Sequence, residues 1–412
     1  MRVILAVLLA AVAATAAAQP VSDGAAAPLA ELVERAWSIW RQAGIDQARS
    51  AEIDARALAN RSLFAGAPRI GLDVRRDLPR WAGLPGTDSV AERGRNELEP
   101  GFSAPVWLPG QRDAQRRVLE RERDALSAAA RAERLRVAGE VREAVWALAL
   151  ARSAQRLQQA RLESAQALEA DVARRVKAGD LAPADRLMAR TEALAAAAAV
   201  RDAQAQADVA VSQLRLRTGL DAAGDVTETP AADTDPATHP ALEAAREAVE
   251  TSRARLDYAR ATRRDNPTVS AVARFDRDAY GSGYRNTLRV GVAVPLDTEA
   301  RNAPRLAAAS VELTEAEIAL QREMRARQAE AGRARIAMEA ARRALDLNTE
   351  RAVIAREALA AIERAFAAGE RGLPDVLRVR TQTLEAELAR DTAREQLGLA
   401  IARLNQAQGV QP

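Results

Sequence analysis

Two kinds of hydrophobic spacing divide the chain. In four short segments apolar residues alternate with polar or small ones. Ile70, Leu72 and Val74 alternate with Gly71, Asp73 and Arg75, and Phe102, Ala104 and Val106 with Gly101, Ser103 and Pro105. Val269, Ala271, Ala273 and Phe275 alternate with Ser270, Val272, Arg274 and Asp276, and Leu288, Val290, Val292 and Val294 with Arg289, Gly291, Ala293 and Pro295. A period of two predicts strands with one apolar face and one polar or small face. The remaining spacing is helical and long. Gln111 to Lys177 holds no proline and one glycine, Gly139, and Leu306 to Ala368 holds no proline and one glycine, Gly332. At about 1.5 Å per residue such runs predict rods of roughly 90–100 Å, longer than a compact domain needs. In the second rod Ala331, Met338, Leu345, Ala352, Leu359 and Phe366 recur every seven residues, and an eleven-residue step leads back to Leu320 and then seven to Leu313. That is a coiled-coil seam with one stutter. The first rod keeps Val141, Leu148, Leu162 and Val176 but has Gln155 and Glu169 between them, a more polar seam.

The pattern is written twice. Pro105 and Pro295, Gly179 and Gly369, Leu214 and Leu404, and Gly219 and Gly409 all stand 190 residues apart. Pro68 and Pro267 stand 199 apart, so the first half is nine residues longer here (105 − 68 = 37; 295 − 267 = 28), a difference that belongs in a loop. Each repeat reads helix, β-hairpin, long helical hairpin. The first spans 19–220, with its β-hairpin at 68–108 and its helical hairpin at 109–219. The second spans 241–412, with its β-hairpin at 267–296 and its helical hairpin at 299–408. Residues 221–240, rich in Pro, Asp, Thr and Ala, read as a connector.

At the start, Arg2 precedes an apolar run from Val3 to Ala14 and the small-residue pattern Ala16-Ala17-Ala18 before Gln19-Pro20. This predicts a secretory leader over 1–18 cleaved after Ala18, its apolar run being too short to span a bilayer. Later apolar runs, Ala144–Ala151 and Ala193–Val200, fall short of the ~18 residues of a membrane helix, so a mature chain that crosses a membrane must do so with strands.

Composition narrows the chemistry. Of 412 residues 48% are hydrophobic, mostly alanine, and only 3% aromatic, which suits helices in close approach rather than one thick core. With no cysteine, thiolate metal sites, disulfides, cysteine nucleophiles and a cysteine-borne lipid anchor are excluded. His239 is the only histidine, and no nucleophile–base set or phosphate loop accompanies it, so no enzyme, metal or cofactor is expected. His239, before Pro240, is expected at the surface at a helix start, and Trp37 and Trp40 to pack at the equator of the rods. Basic and acidic residues, 60 and 57, are interleaved, which leaves no nucleic-acid patch.

For the strands two readings stand: a small soluble sheet packed on one side, or lipid-facing strands lining an aqueous lumen. In lipid, four strands cannot close and open edges are not tolerated, so several copies must contribute; three supply twelve. Asp77–Asn96 and Arg277–Arg285 are then the outer loops.

The leader, the twofold repeat, the proline at the foot of each β-hairpin and the paired motifs Ala-Gly-Asp-Leu-Ala-Pro-Ala-Asp-Arg-Leu (178–187) and Ala-Gly-Glu-Arg-Gly-Leu-Pro-Asp-Val-Leu (368–377) together resemble the TolC, or outer membrane efflux protein, family. The resemblance covers essentially the whole chain after the leader. It implies a mainly α fold with a membrane β-barrel: long antiparallel helical hairpins forming a periplasmic α-barrel, plus four strands per chain of a trimeric twelve-stranded β-barrel. It places the protein in the outer membrane of a Gram-negative bacterium, reaching into the periplasm, with Ile70, Leu72, Val74, Phe102, Phe275, Leu288, Val290 and Val292 toward outer-membrane lipid. Its partners would be two further copies, a periplasmic membrane-fusion adaptor and an inner-membrane transporter, a proton-driven type being favoured over an ATP-driven one. The chain would be a passive exit duct for small molecules or metal ions.

By position in the motifs, the resemblance implies a periplasmic gate at Asp185, Phe366, Arg371, Asp375 and Arg378, with Arg371 pairing with Asp185 of a neighbouring hairpin. The adaptor would dock on tips built from Gly179, Asp180, Pro183, Gly369, Glu370 and Pro374. Phe366 stands where a tyrosine often joins the closure network, and Arg378 where a second acidic ring often sits. The same residues also have a plain structural reading. Acids and prolines suit first helical turns, and glycines suit helix ends. Two other functions compete: the exit channel of a one-step protein secretion system, and a soluble periplasmic coiled-coil scaffold.

Overall fold

The computed structural model describes residues 27–39, 42–76, 96–224, 226–232, 236–278 and 281–412. The expected leader with Ala18, Trp40 and nearly all of the expected 77–96 loop lie outside the described residues. Helices α1 (Leu29–Ile39) and α2 (Gln42–Asn60) precede strands β1 (Arg69–Arg76) and β2 (Asn96–Pro105) and the hairpin of α3 (Gln111–Ala178) and α4 (Pro183–Thr218). Helix α5 (Pro240–Ala261), strands β3 (Thr268–Arg277) and β4 (Arg285–Ala293) and the hairpin of α6 (Thr298–Ala367) and α7 (Leu373–Ala407) repeat that order.

The rods form because nothing interrupts them: α3 runs for 68 residues and α6 for 70. Helix α6 starts at Thr298, earlier than the proline-free run from Leu306, and carries Pro304 in its second turn. The cost is local, a missing N–H toward Ala300 close to a helix end. The seam of α6 meets its neighbours along its length, with Ala352 and Phe366 buried and Leu313, Leu320, Ala331, Met338, Leu345 and Leu359 half-buried.

The four strands make one antiparallel sheet in the order β1-β2-β3-β4. Cross-strand partners share a face. Ile70 lies opposite Phe102, Phe102 opposite Ala271 and Ala271 opposite Val290, while Val74, Leu98 and Phe275 form a parallel row. Apart from Phe64, whose ring lies 5.9 Å from that of Phe102, this face is largely uncovered among the described residues: Ile70 is 86% exposed and Leu288 and Val290 73% each. Val106 and Val294 fall just beyond the strands. The opposite face is charged and internally paired. Arg274 reaches Glu97 at 2.6 Å and Glu99 at 3.4 Å, and Arg285 reaches Asp276 at 2.8 Å.

Away from the sheet, the thickest core lies midway along the first hairpin. Leu32, Val33 and Ala36 of α1, Val141, Val145 and Leu148 of α3 and Leu214 of α4 are buried together, with Trp37 packed against them. The connector is strapped across this region. Arg142, only 2% exposed, donates from Nε and Nη2 to both carboxylate oxygens of Glu228 at 3.0 and 2.8 Å, and from Nη1 to Gln406 at 2.7 Å. Asn405 Nδ2 donates to Glu228 at 3.0 Å, and its Oδ1 accepts from the Ala231 N–H at 2.9 Å. His239 does start a helix, accepting the Ala241 N–H on Nδ1 at 3.1 Å, but it is not at the surface. It is 4% exposed, wedged beside Gly409, where even a Cβ would come within 2.9 Å of its ring. Burial holds the imidazole below its ordinary pKa, with Arg327 pushing the same way.

Candidate functional site at the hairpin tips

Both rods end in the same device. Gly179 has φ 89° and Gly369 φ 79°, a left-handed backbone that glycine adopts without penalty. The Gly179 N–H donates to Val176 at 3.1 Å and the Asp180 N–H to Arg175 at 2.9 Å; Gly369 donates to Phe366 at 3.1 Å and Glu370 to Ala365 at 2.9 Å. These paired bonds satisfy the last carbonyls of the rods and blunt the turn. Pro183 and Pro374 then open α4 and α7, where the missing N–H costs nothing. Asp180, Pro183, Glu370 and Pro374 are exposed on the rounded ends.

The two tip acids, equivalent by position, are used differently. Asp185 Oδ2 accepts the Ala182 N–H at 3.1 Å, capping its own helix. Asp375 accepts from Arg378 at 3.1 Å and lies 3.9 Å from Arg371. Within one chain, then, the carboxylate nearest Arg371 is Asp375 and not Asp185. Both arginines are mostly exposed, where such pairs contribute about 0–1 kcal/mol and weaken with salt.

Beneath these charges the tips share a core. Leu168, Val172 and Ala189 of the first hairpin and Phe366, Leu373 and Val376 of the second form one buried cluster. Phe366 is 8% exposed, and the Arg175 guanidinium lies over its ring, 5.0 Å from the centroid. Phe366 therefore contributes a packed, cation-facing ring to the tip core. Arg380 adds a tie, donating to the Ser164 carbonyl at 3.3 Å and to Glu363. The sequence motifs do not point to Arg175; for Leu373 and Val376 the apolar spacing 373, 376, 377 is the signal.

Among the described residues no group of His, Cys, Asp or Glu is placed to hold a metal ion, and no helix is long and apolar enough to cross a membrane. The arrangement offers exposed ion pairs whose strength depends on salt.

Residues 42–220 match the profile of the outer membrane efflux protein family. No curated protein matches the chain in sequence. Among solved structures, a membrane protein from Pseudomonas aeruginosa is similar with 20% identity and TM-score 0.74, the match covering 93% of this chain and 90% of that one. The outer membrane protein VceC from Vibrio cholerae is similar with 17% identity and TM-score 0.73, covering 93% and 96%. The MtrE outer membrane channel of Neisseria gonorrhoeae, solved in its open state, has 17% identity and TM-score 0.71, covering 93% and 89%. At these identities the likeness is one of fold.

Proposed function

We propose that this chain, which belongs over residues 42–220 to the outer membrane efflux protein family and carries the fold of such channels along its length, is the trimeric exit duct of a tripartite efflux pump in the outer membrane. The observation that carries this reading is the sheet. Its Ile70, Leu72, Val74, Leu288, Val290 and Val292 face outward uncovered, and β1 and β4 each have one neighbour among the described residues. Open edges are untenable in hydrocarbon, so the strands of three copies close a barrel whose lipid face is this apolar face and whose lumen carries Arg274, Glu99 and Arg285. A soluble sheet would have covered those side chains.

The helical hairpins continue the lumen into the periplasm, and their tips, at Asp185, Phe366, Arg371, Asp375 and Arg378, form the gate. A periplasmic adaptor docks on the ends around Gly179, Asp180, Pro183, Gly369, Glu370 and Pro374. Energy enters at an inner-membrane transporter, proton-driven on our reading; the duct conducts small molecules or metal ions passively and hydrolyses nothing.

Single-channel conductance of the detergent-extracted protein in planar bilayers tests this, comparing wild type with Arg371→Ser and Asp185→Ala. Small wild-type openings that enlarge in the variants support a duct gated at its tips. Large conductance identical in all three keeps the duct and removes the gate. Water-soluble protein that never inserts and forms no heat-modifiable oligomer leaves the coiled-coil scaffold.

A further inference from the structure

The two tips are not interchangeable. Beside the first is an open groove of about 490 Å³ lined by Ala173, Arg174, Val176, Lys177 and Arg186. Its lining is two aliphatic residues and three cations, with no acidic residue. Arg174 is already engaged by Asp171 at 3.0 Å. The positions 190 residues on are Glu363, Arg364, Phe366, Ala367 and Val376. There Phe366 and Val376 are buried in the tip core, against which Val176 is only partly buried, and Glu363 pairs with Arg380, so these positions hold one cation, Arg364, where the first tip has three. Lys177 is also the only lysine in a chain that otherwise uses arginine throughout.

We infer that the groove at the first tip is the primary docking point for an acidic helical segment of the adaptor, its carboxylates held by Lys177 and Arg186 and an aliphatic side chain seated on Ala173 and Val176. The inference rests on the duct reading above and adds the chemistry of the partner and a choice between the two tips. Exposed cations make each contact weak and salt-sensitive, and three copies around one axis turn weak contacts into firm attachment by raising the effective concentration of the second and third. Weak individual contacts also let a pump assemble and come apart.

The test uses the purified full-length oligomer in detergent and two designed amphipathic helical peptides, one with a Glu-rich polar face and one with Lys in place of each Glu. Fluorescence anisotropy should show the Glu peptide binding at low salt and the Lys peptide not. Lys177→Glu with Arg186→Glu should weaken the Glu peptide by at least about tenfold, while the charge-preserving Lys177→Arg with Arg186→Lys keeps it. Equal binding of both peptides, or unaltered binding by the Glu–Glu variant, overturns the inference. So does a groove filled by an adjacent copy, read as no binding to wild type together with a less heat-resistant oligomer in the Glu–Glu variant. Bilayer conductance of wild type is measured alongside: its absence would defeat the duct, whereas normal conductance with failed peptide binding defeats only this inference.

Discussion

The guanidinium of Arg175 lies 5.0 Å from the centroid of the Phe366 ring, joining the foot of one helical hairpin to the foot of the other across 191 residues of sequence (366 − 175). The contact sits at the rim of the shared tip core, so water reaches one side of it, and a cation over a partly wet ring contributes about 0.5–1 kcal/mol. The ring itself contributes more, since truncating a buried phenylalanine costs up to about 3–5 kcal/mol where the site cannot collapse. Phe366→Ala is therefore expected to loosen the tips locally without unfolding the rods. Hydrogen exchange of amides in 362–380 should accelerate at least about tenfold, against about threefold for Arg175→Ala, as each 1.4 kcal/mol of local stability is a factor of ten. Unchanged exchange in both would mean that this core does not hold the tips together.

Arg142 is expected to be the costliest single polar residue to remove from the middle of the rods. It is 2% exposed, and its partner Glu228 only 13%. Taking away one member of such a pair strands the other charge out of water, at about 3–5 kcal/mol. Arg142→Ala should lower the unfolding midpoint and open the connector around 226–232 to limited proteolysis. Pairing Arg142→Met with Glu228→Leu should recover much of the loss, because an apolar pair leaves no orphaned charge. A single variant as resistant to protease as wild type would show that the strap does not depend on this bridge.

What the sequence discloses and what it hides divide along physical lines. The rods are legible because their signal is local: over Gln111–Lys177 no residue forbids a helix, and the seven-residue spacing of Ala331 through Phe366 names the buried side. The strands are legible for the same reason, period two with one apolar face. The Arg142–Glu228 bridge was not, because 86 residues separate the partners and both types are abundant. Residue type alone puts His239 at the surface; its burial depends on Gly409, brought beside it only by the full fold. At the tips the motif residues stand where the repeat puts them, yet Asp185 caps a helix while Asp375 faces Arg378 and Arg371. Repeat position tells where an acid is and not what it bonds.

His239 makes the fold sensitive to mild acid. Burial, the main cause, and Arg327 hold its folded pKa below the unfolded value of about 6.5. Between those two values the unfolded chain binds a proton that the folded chain does not, so stability rises with pH across that window. The favourable balance is complete above about pH 7 and is lost as pH falls below about 6.5, down to the folded pKa. His239→Asn keeps a cap for α5 and cannot titrate. The lead in melting temperature of wild type over His239→Asn should therefore be larger at pH 7.5 than at pH 5.5, with wild type the one that loses ground in acid. A difference independent of pH would show that the imidazole titrates alike folded and unfolded.

Neighbouring residues on β4 offer the sharpest test of which sheet face meets lipid. Leu288, opposite Ala273, belongs to the uncovered apolar face, and Thr287, opposite Arg274, to the charged one. One residue apart on a strand, they project to opposite sides of the sheet. Arginine on the lipid face of a barrel costs about 2–4 kcal/mol near the bilayer midplane, whereas on the lumen face it stays in water. Leu288→Arg is accordingly expected to reduce sharply the heat-modifiable oligomer recovered from outer membranes. Thr287→Arg should assemble normally and, beside Arg274 and Arg289, shift the reversal potential of the open channel toward anions. If both variants assembled equally well, the apolar face would not be in hydrocarbon, and with it would go the reason for three copies to close a barrel. If Thr287→Arg alone failed, the two faces would be exchanged, and the paired charges of Glu97, Arg274 and Asp276 would have to be buried against protein instead of lining a channel.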